Sequence, residues 1–475
     1  MNYQEKLEYL ISPEKFFPAD IKRGSLLGNK PFIEAIGGYL DVLSESQYWP
    51  RANLEELQTA RLRKFTGLIE SKSSFWAEYF HRYNFSPNLA KLEDLRRLPI
   101  LDRKSLLELG DKTYLNPGLD ESTFAYYSSG TTGVSLKHFY SEREFLINFT
   151  VFLFRHPAFE KFSLSKLLSR KSFVVLGRPG FRHVFEKDFF YKNFPFIRSS
   201  DLENVDLRKD IYTSIRNAAP AFLVGYGSLI AKLAEWIIED GEELPILAVR
   251  TTSEPISTFD RELIGRAIKA PVINMLSGNG IGLIGFECPS DKEFFHANSE
   301  TLIIEIVGDN SEFQERAEGE LIITSFAYSL NPFIRHAHKD IGQFLSYACN
   351  CGRTLPIFKF HGRREYEIIL PSGRKIGMMY LYRLFSGIVM GESRLGRIAK
   401  QSQIIQNRID SLLLLIVPRK KISDTDEIRI RLALVELFDG ERINIEIKCV
   451  DVIPSGRDSK PSFFVPLSEF QERQL

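Results

Sequence analysis

Residues 127–133 read Tyr-Ser-Ser-Gly-Thr-Thr-Gly (YSSGTTG). Serine, threonine and glycine fill all but the first position, so the stretch has almost nothing apolar to give a core. Small hydroxyls and unencumbered backbone N–H groups are what a loop needs to surround phosphate oxygens. It is not a Walker loop, because no Gly-Lys-Ser/Thr closes it, and it lacks the GxGxxG spacing of a dinucleotide fold. Taken alone, a polar turn between strands accounts for such a loop, and such turns are common.

The flanks give it a setting. Ser122 to Tyr127 (STFAYY) is a β-rich run feeding the loop. Ser141-Glu-Arg-Glu144 has the capping-box pattern ahead of an aromatic helix. From Phe222 strand and helix alternate: Phe222–Gly225, then a helix over Ser228–Asp240, a strand at Ile246–Arg250, a helix over Thr258–Ile268 and a strand at Pro271–Leu276. Alternation of this kind predicts βαβ units and a mostly parallel sheet. Thr301–Val307 and Glu320–Thr324 add strands. Upstream, the first 110 residues are mostly helical. Asn53 is the expected N-cap of a helix to Thr66, and Leu92–Leu109 reads as two helices broken at Pro99, the second capped near Asp102. Past Arg363 the texture changes. A strand over Ser411–Val417, a helix over Asp424–Phe438 and a strand over Ile443–Ile453 make a small α+β unit. The expectation is therefore an α/β chain in two parts: residues 1–364, with mixed and parallel sheets, and a C-terminal α+β domain over 365–475.

Composition narrows the function classes. The chain has 475 residues, 62 basic and 61 acidic, for a net charge of +1. That balance argues against nucleic acid or an anionic membrane as the main partner. The beginning, MNYQEKLEYL, has no apolar h-region, and the most apolar run, Leu412–Val417 (LLLLIV), is too short to span a bilayer and fits a buried strand. A cytoplasmic protein with reduced cysteines is expected. The 38 phenylalanines suit a large aromatic core or an aromatic ligand pocket, and composition does not separate the two.

Several further motifs occur in a fixed order around the loop. They are the Leu92–Leu109 segment, Gly225-Tyr-Gly-Ser228, Ser253-Glu-Pro255, Asn274–Cys288 (NMLSGNGIGLIGFEC), Pro332–Asp340 (PFIRHAHKD), Gly362-Arg363 and Ile453–Lys460 (IPSGRDSK). Together with YSSGTTG this series resembles the adenylate-forming superfamily of acyl- and aryl-CoA ligases. Within it the chain looks like the phenylacetate–CoA ligase family and its CapK-like relatives from capsular polysaccharide clusters. The resemblance runs from roughly residue 70 to the end. It implies ATP-dependent activation of a small carboxylic acid, aromatic or not, as an acyl- or aryl-adenylate, which then passes to CoA or another acceptor. Ser128, Ser129, Gly130, Thr131, Thr132 and Gly133 would hold the β- and γ-phosphates. Ser253, Glu254 and Pro255, with Asn274, Met275 and Leu276, would back the nucleotide. Asp340 would accept from the ribose hydroxyls, and Arg363 would contact the ribose or phosphate edge. Lys460 and Thr132 would carry catalysis, with the lysine on a mobile C-terminal lid. Expected cofactors are ATP, Mg²⁺ and CoA.

The chain also departs from the family pattern. Gly280 stands where the family has a Mg²⁺-holding glutamate, Leu276 where it has tyrosine, Lys339 where it has glycine, and Ser459 where it has glycine. These departures motivate a second reading, a non-catalytic nucleotide-binding or scaffold homologue. Finally, Cys288, His296, Cys349 and Cys351 offer three thiolates and an imidazole, the donor set of a closed tetrahedral zinc site. The resemblance carries the same Cys-His-Cys-x-Cys pattern; buried thiols beside a hydrogen-bonded histidine are the plainer alternative. Cys449 reads as core; His336 and His338 could pair with phosphate or metal, and a solvated strand edge is the plainer reading.

Overall fold

The computed structural model describes residues 1–18, 29–115, 123–127, 136–150, 155–159, 173–177, 195–218, 221–254, 256–308, 313, 317–346, 348–377, 381, 399–419, 421–453, 464–467 and 470. Among these, eleven strands form one mixed sheet. Its parallel half runs Phe196–Arg198, Phe173–Gly177, Ala221–Gly225, Ile246–Thr251 and Val272–Gly278. At Val272–Gly278 the sense changes. Gly282–Glu287, Phe294–Ala297, Ile357–Arg363, Phe333–Phe344, Gly319–Ser325 and Leu302–Val307 follow, each antiparallel to the one before.

The parallel strands read as unbroken apolar runs because both their faces are covered. Phe173–Gly177 and Ala221–Gly225 are buried throughout. On one face lie the helices Gly227–Asp240 and Thr258–Ile268, packing Leu233, Trp236 and Ile264 against Leu223 and Val249. On the other face Phe222, Val224, Ile273 and Met275 meet Phe32, Ile36, Tyr39 and Leu43 from the helix Lys30–Ser46. That helix starts where Asn29 accepts from the Phe32 N–H, with Pro31 pre-set for the first turn. Each large apolar side chain so buried contributes about 1.5–3 kcal/mol against exposure.

Two expected helix starts differ. The long helix runs Arg51–Lys72 from Pro50, which makes no side-chain cap bond, so Asn53 lies inside the first turn. Leu92–Arg97 is a 3₁₀ segment rather than an α-helix, while Arg103–Leu109 is capped by Asp102 as expected. The expected capping box at Ser141 is half formed. Ser141 accepts from the Glu144 N–H, but the Glu144 carboxylate turns away to accept from Ser329 N.

One charged pair lies wholly inside. Arg155 and Glu300 face each other at 2.8 Å with no side-chain exposure. Ser46 Oγ donates to Glu300 at 2.6 Å, Arg61 to the Glu300 carbonyl at 2.6 Å, and Arg155 also reaches Asn298. The N-terminal helices are thus joined to the sheet by hydrogen bonds as well as by apolar packing. Burial alone would push the Glu300 carboxyl up, yet Arg155 and Ser46 hold it below the ordinary carboxylate range.

The C-terminal part has a core of its own. Asn444–Cys449, Ser411–Pro418, Ala399–Arg408 and Phe464–Val465 form a sheet in that order. Against it Ile430, Leu434 and Phe438 of the helix Asp424–Phe438 pack on Leu412, Leu414 and Ile416. The LLLLIV run is an inner strand, which explains its composition. Cys449, expected in the core, is exposed.

Candidate functional site

The strands Thr123–Tyr127 and Lys137–Ser141 pair antiparallel, with Tyr127 opposite Lys137, so they bracket the YSSGTTG stretch. Ser128, Ser129, Gly130, Thr131, Thr132 and Gly133 themselves lie outside the described residues, as do Pro255 and Lys460. The hairpin base is firmly anchored. Phe139 N donates to Asn331 Oδ1 at 2.7 Å, and Gly280 N donates to the Tyr140 hydroxyl at 2.7 Å. Lys137 holds its ammonium over the Phe139 ring, 4.5 Å from the centroid.

In open α/β sheets the ligand crevice forms beyond the carboxyl ends of the parallel strands. Three sequence motifs meet there. Gly225 ends its strand so close to Leu176 that a Cβ would fall 2.1 Å from the Leu176 carbonyl oxygen, which leaves only glycine. The chain then turns through Tyr226, itself buried, into the helix at Gly227. At that N-terminus the Glu254 carboxylate accepts from Ser228 N at 2.5 Å, fastening the Ser-Glu-Pro turn to the Gly-Tyr-Gly-Ser turn. Ser253, exposed, adopts φ +68°, a left-handed conformation that costs a non-glycine residue about 1–2 kcal/mol. Along Val272–Gly278 the side chains alternate. Asn274 and Leu276 are half-buried on one face, while Met275 is buried in the core on the other. The Met275 side chain therefore packs away from Asn274 and Leu276. Thr251 Oγ1 donates to Asn274 Oδ1 at 3.3 Å, and Asn274 N donates to the buried Glu287 carboxylate at 3.3 Å.

The strand Phe333–Phe344 brings the remaining motif. Arg335, at φ +48°, forks onto Glu305 through Nε at 2.9 Å and Nη2 at 3.1 Å, and donates to the Leu98 carbonyl. The backbones of Leu101, Arg335 and Ala337 are also bonded, so the Leu92–Leu109 segment and the PFIRHAHKD motif form one structural piece. Asp340 is buried. Its Oδ2 lies 2.5 Å from His338 Nδ1 and its Oδ1 lies 3.6 Å from Arg363 Nε. Arg363 Nη2 donates to the His338 carbonyl at 3.3 Å. Neither His336 nor His338 is a solvated edge. His336 is buried and donates from Nδ1 to the Leu101 carbonyl at 3.0 Å, and burial drives its pKa down to about 3. Lys339 adopts φ +69°, a left-handed backbone that favours glycine.

Position 280 tests the expected Mg²⁺ site. Gly280 has φ +75°, and a Cβ there would lie 2.3 Å from the Phe333 ring and 2.6 Å from His138 Nδ1. No carboxylate is present at 280, and the space a longer side chain would need is taken by two rings. The residues at this position do not fit the ion as the family holds it, and no chemistry is routed through it.

The cysteine set does fit a metal. The donor atoms of Cys288, His296, Cys349 and Cys351 all lie within 4.8 Å of one another. Cys288 and Cys349 sulfurs are 3.3 Å apart, and Cys351 Sγ is 3.2 Å from His296 Nε2. A disulfide needs about 2.05 Å, whereas donors around one tetrahedral zinc at about 2.0–2.3 Å stand further apart, in this range. His296 Nδ1 points to the Leu355 carbonyl, leaving Nε2 for a metal, and burial lowers its pKa to about 4, so the ring is neutral. The turn carrying Cys349 and Cys351 also grips the end of the helix Lys30–Ser46. Arg353 Nε donates to Gln47 Oε1 at 2.6 Å, and Thr354 N donates to the Gln47 carbonyl at 3.0 Å. Glu287, next to Cys288, is ion-paired with Arg261 rather than open to a ligand.

Sequence reasoning passed over Tyr140 and His138, which stood in no motif. His338 stood within one, but nothing in its spacing pointed to Gly278 as its neighbour.

Residues 369–465 match the family model described as the CapK C-terminal domain. Among solved structures, 2-hydroxyisobutyryl-CoA ligase in the postadenylation state, in complex with R3-HIB-AMP, aligns at 15% identity over 90% of this chain and 94% of that one, with a TM-score of 0.65. The same ligase in an open conformation with 2-HIB-AMP and CoA aligns at 16% identity over 89% and 95%, with a TM-score of 0.55. At such identity the likeness is one of fold. A search of the curated proteins finds no match to this chain.

Proposed function

Proceeding from a chain with the adenylate-forming ligase fold and a CapK-type C-terminal domain, we propose that it is an ATP-dependent carboxylate-activating enzyme. It joins a small carboxylic acid to AMP and passes the acyl group to CoA or another acceptor. The observation that carries this reading is the convergence of Ser228–Glu254, Asn274 and His338–Asp340–Arg363 beside the base of the YSSGTTG hairpin.

The reaction has the acid's carboxylate attack the α-phosphorus of ATP while pyrophosphate leaves. Charge spreads over phosphate oxygens, so donors and cations aimed at them lower the barrier. Residues Ser128–Gly133 supply hydroxyls and N–H groups to the β- and γ-phosphates, with Thr132 at the reacting end. Ser253–Pro255, Asn274 and Leu276 back the base, Asp340 takes the ribose, and Arg363 takes the sugar–phosphate edge. Lys460, on a compact flexible stem, brings a positive charge to the α-phosphate and carboxylate from a lid formed by residues 365–475 against the larger unit 1–364. Zinc on Cys288, His296, Cys349 and Cys351 is structural, with no open position for chemistry. Among the described residues no helix is long and apolar enough to cross a membrane, which suits a cytoplasmic enzyme.

The test is carboxylate-dependent ATP–pyrophosphate exchange over a panel of aryl and fatty acids. Wild-type exchange that Lys460→Ala abolishes is the expected result. Equal exchange by both overturns the role given to Lys460. Gly280 favours one rival, a scaffold homologue that holds nucleotide without turning it over. ATP binding with no exchange for any acid is its signature.

A further inference from the structure

We propose that His338 is a second ribose-binding group. The two vicinal hydroxyls of the nucleotide sugar would then be divided between its imidazole and the Asp340 carboxylate. The inference rests on the nucleotide reading above and extends it to a residue that reading leaves idle.

His338 and Asp340 stand two apart where the register of the strand Phe333–Phe344 shifts against its neighbour between Ala337 and Ile341. Lys339 between them turns left-handed at φ +69°, and the pair closes to 2.5 Å. An ionised carboxylate only accepts, so Nδ1 carries the proton of this contact, and in the neutral ring Nε2 then offers a lone pair. Asp340 Oδ2 is engaged by that bond, leaving Oδ1, which faces Arg363 Nε at 3.6 Å. Two acceptors, Nε2 and Oδ1, thus sit on one rigid pair, and a vicinal diol presents two donors. Of the two side chains the imidazole is the more open, 17% exposed against 4%. Among the described residues no hydrogen bond is made to Nε2.

The opposite wall is arranged for this ring. Gly278 ends the strand whose Asn274 and Leu276 belong to the nucleotide segment. A Cβ at 278 would come 2.6 Å from His338 Nε2 and 3.2 Å from Cε1. Any other residue at 278 displaces the ring from its place between that segment and Asp340. The strands bearing Gly278 and His338 lie four places apart in the sheet, so it is the curl of the sheet that brings them together.

Titration calorimetry of the full chain with ATP, 2′-deoxy-ATP and 3′-deoxy-ATP decides the matter. One lost hydrogen bond weakens binding by up to about tenfold. Wild type is expected to lose about that much with each deoxy analogue. His338→Phe keeps a ring of similar size, loses the acceptor, and is expected to discriminate against only one of the two analogues. His338→Asn retains a donor for Asp340 but not the distal acceptor, and is expected to do the same. This separates sugar contact from mere orientation of the carboxylate, and keeps the test valid if the phenylalanine variant fails to fold. If either folded variant discriminates against both analogues as wild type does, the inference is overturned while the nucleotide reading stands. If wild type binds no ATP at all, both fall.

Discussion

Gly280 and Lys339 both depart from the family pattern, and the backbone gives each departure a different meaning. At 280 the φ of +75° and the two rings that a Cβ would strike make glycine obligatory. Overpacking costs about 1–3 kcal/mol in a packed site, and a left-handed non-glycine residue adds about 1–2. Gly280→Glu is therefore expected to lower stability by several kcal/mol in calorimetry and to bring no Mg²⁺-dependent exchange. A sharp gain of exchange would show instead that an ancestral site had merely decayed. Lys339 is the opposite case, a side chain held where glycine is at ease. Lys339→Gly relieves the left-handed strain but frees the unfolded chain by about 0.5–1 kcal/mol. The net expectation is a gain of a few tenths to about 1 kcal/mol, read as a small rise in melting temperature. The order of motifs made these positions visible in the sequence. What fills the space around them was not, because His138 and Phe333 reach Gly280 from segments 142 and 53 residues away.

Where a single element carried its own signal, the sequence was legible. The helices Thr258–Ile268 and Asp424–Phe438 lie at their expected bounds, since apolar spacing and an N-terminal cap mark them locally. Leu92–Arg97 misled because six residues with two leucines fit a 3₁₀ turn as well as an α-turn. Met275 shows a different limit. A motif names a run of residues, but a strand sends alternate side chains to opposite faces, and the register decides which reach the crevice. The cysteine turn joins elements instead of belonging to one. With zinc bound there as proposed, its removal would leave clustered thiols to repel or oxidise, and would loosen the grip of Arg353 and Thr354 on Gln47. One zinc per chain is expected by elemental analysis. Chelation or Cys351→Ser is expected to lower the melting temperature and to speed proteolysis within residues 30–50. Zinc absent from the purified protein, with melting unchanged by chelator, would leave the cluster as buried thiols.

For the molecule as a whole, buried imidazoles set the response to acid. Burial drives His138, His156 and His336 each down to about 3. Below the ordinary value of 6.5 the unfolded chain takes up these protons and the folded chain does not. Stability must therefore fall as pH falls from about 6.5 towards 3. Each group contributes a slope of about 1.4 kcal/mol per pH unit, so the three together give about 4. Denaturant midpoints measured between pH 7 and 5 are expected to drop steeply, and His336→Gln to flatten the drop by about a third. A profile level to pH 5 would mean that these rings meet water. The helix Lys30–Ser46 has a further consequence, for synthesis. Its end is bonded by Glu300 and by Arg353, the latter 306 residues further along the chain than Gln47. A ribosome adding about 5–20 residues per second needs about 15–60 s to cover that distance. For all that time residues 30–47 of the nascent polypeptide wait without their permanent neighbours, a natural client for whatever shelters unfinished chains.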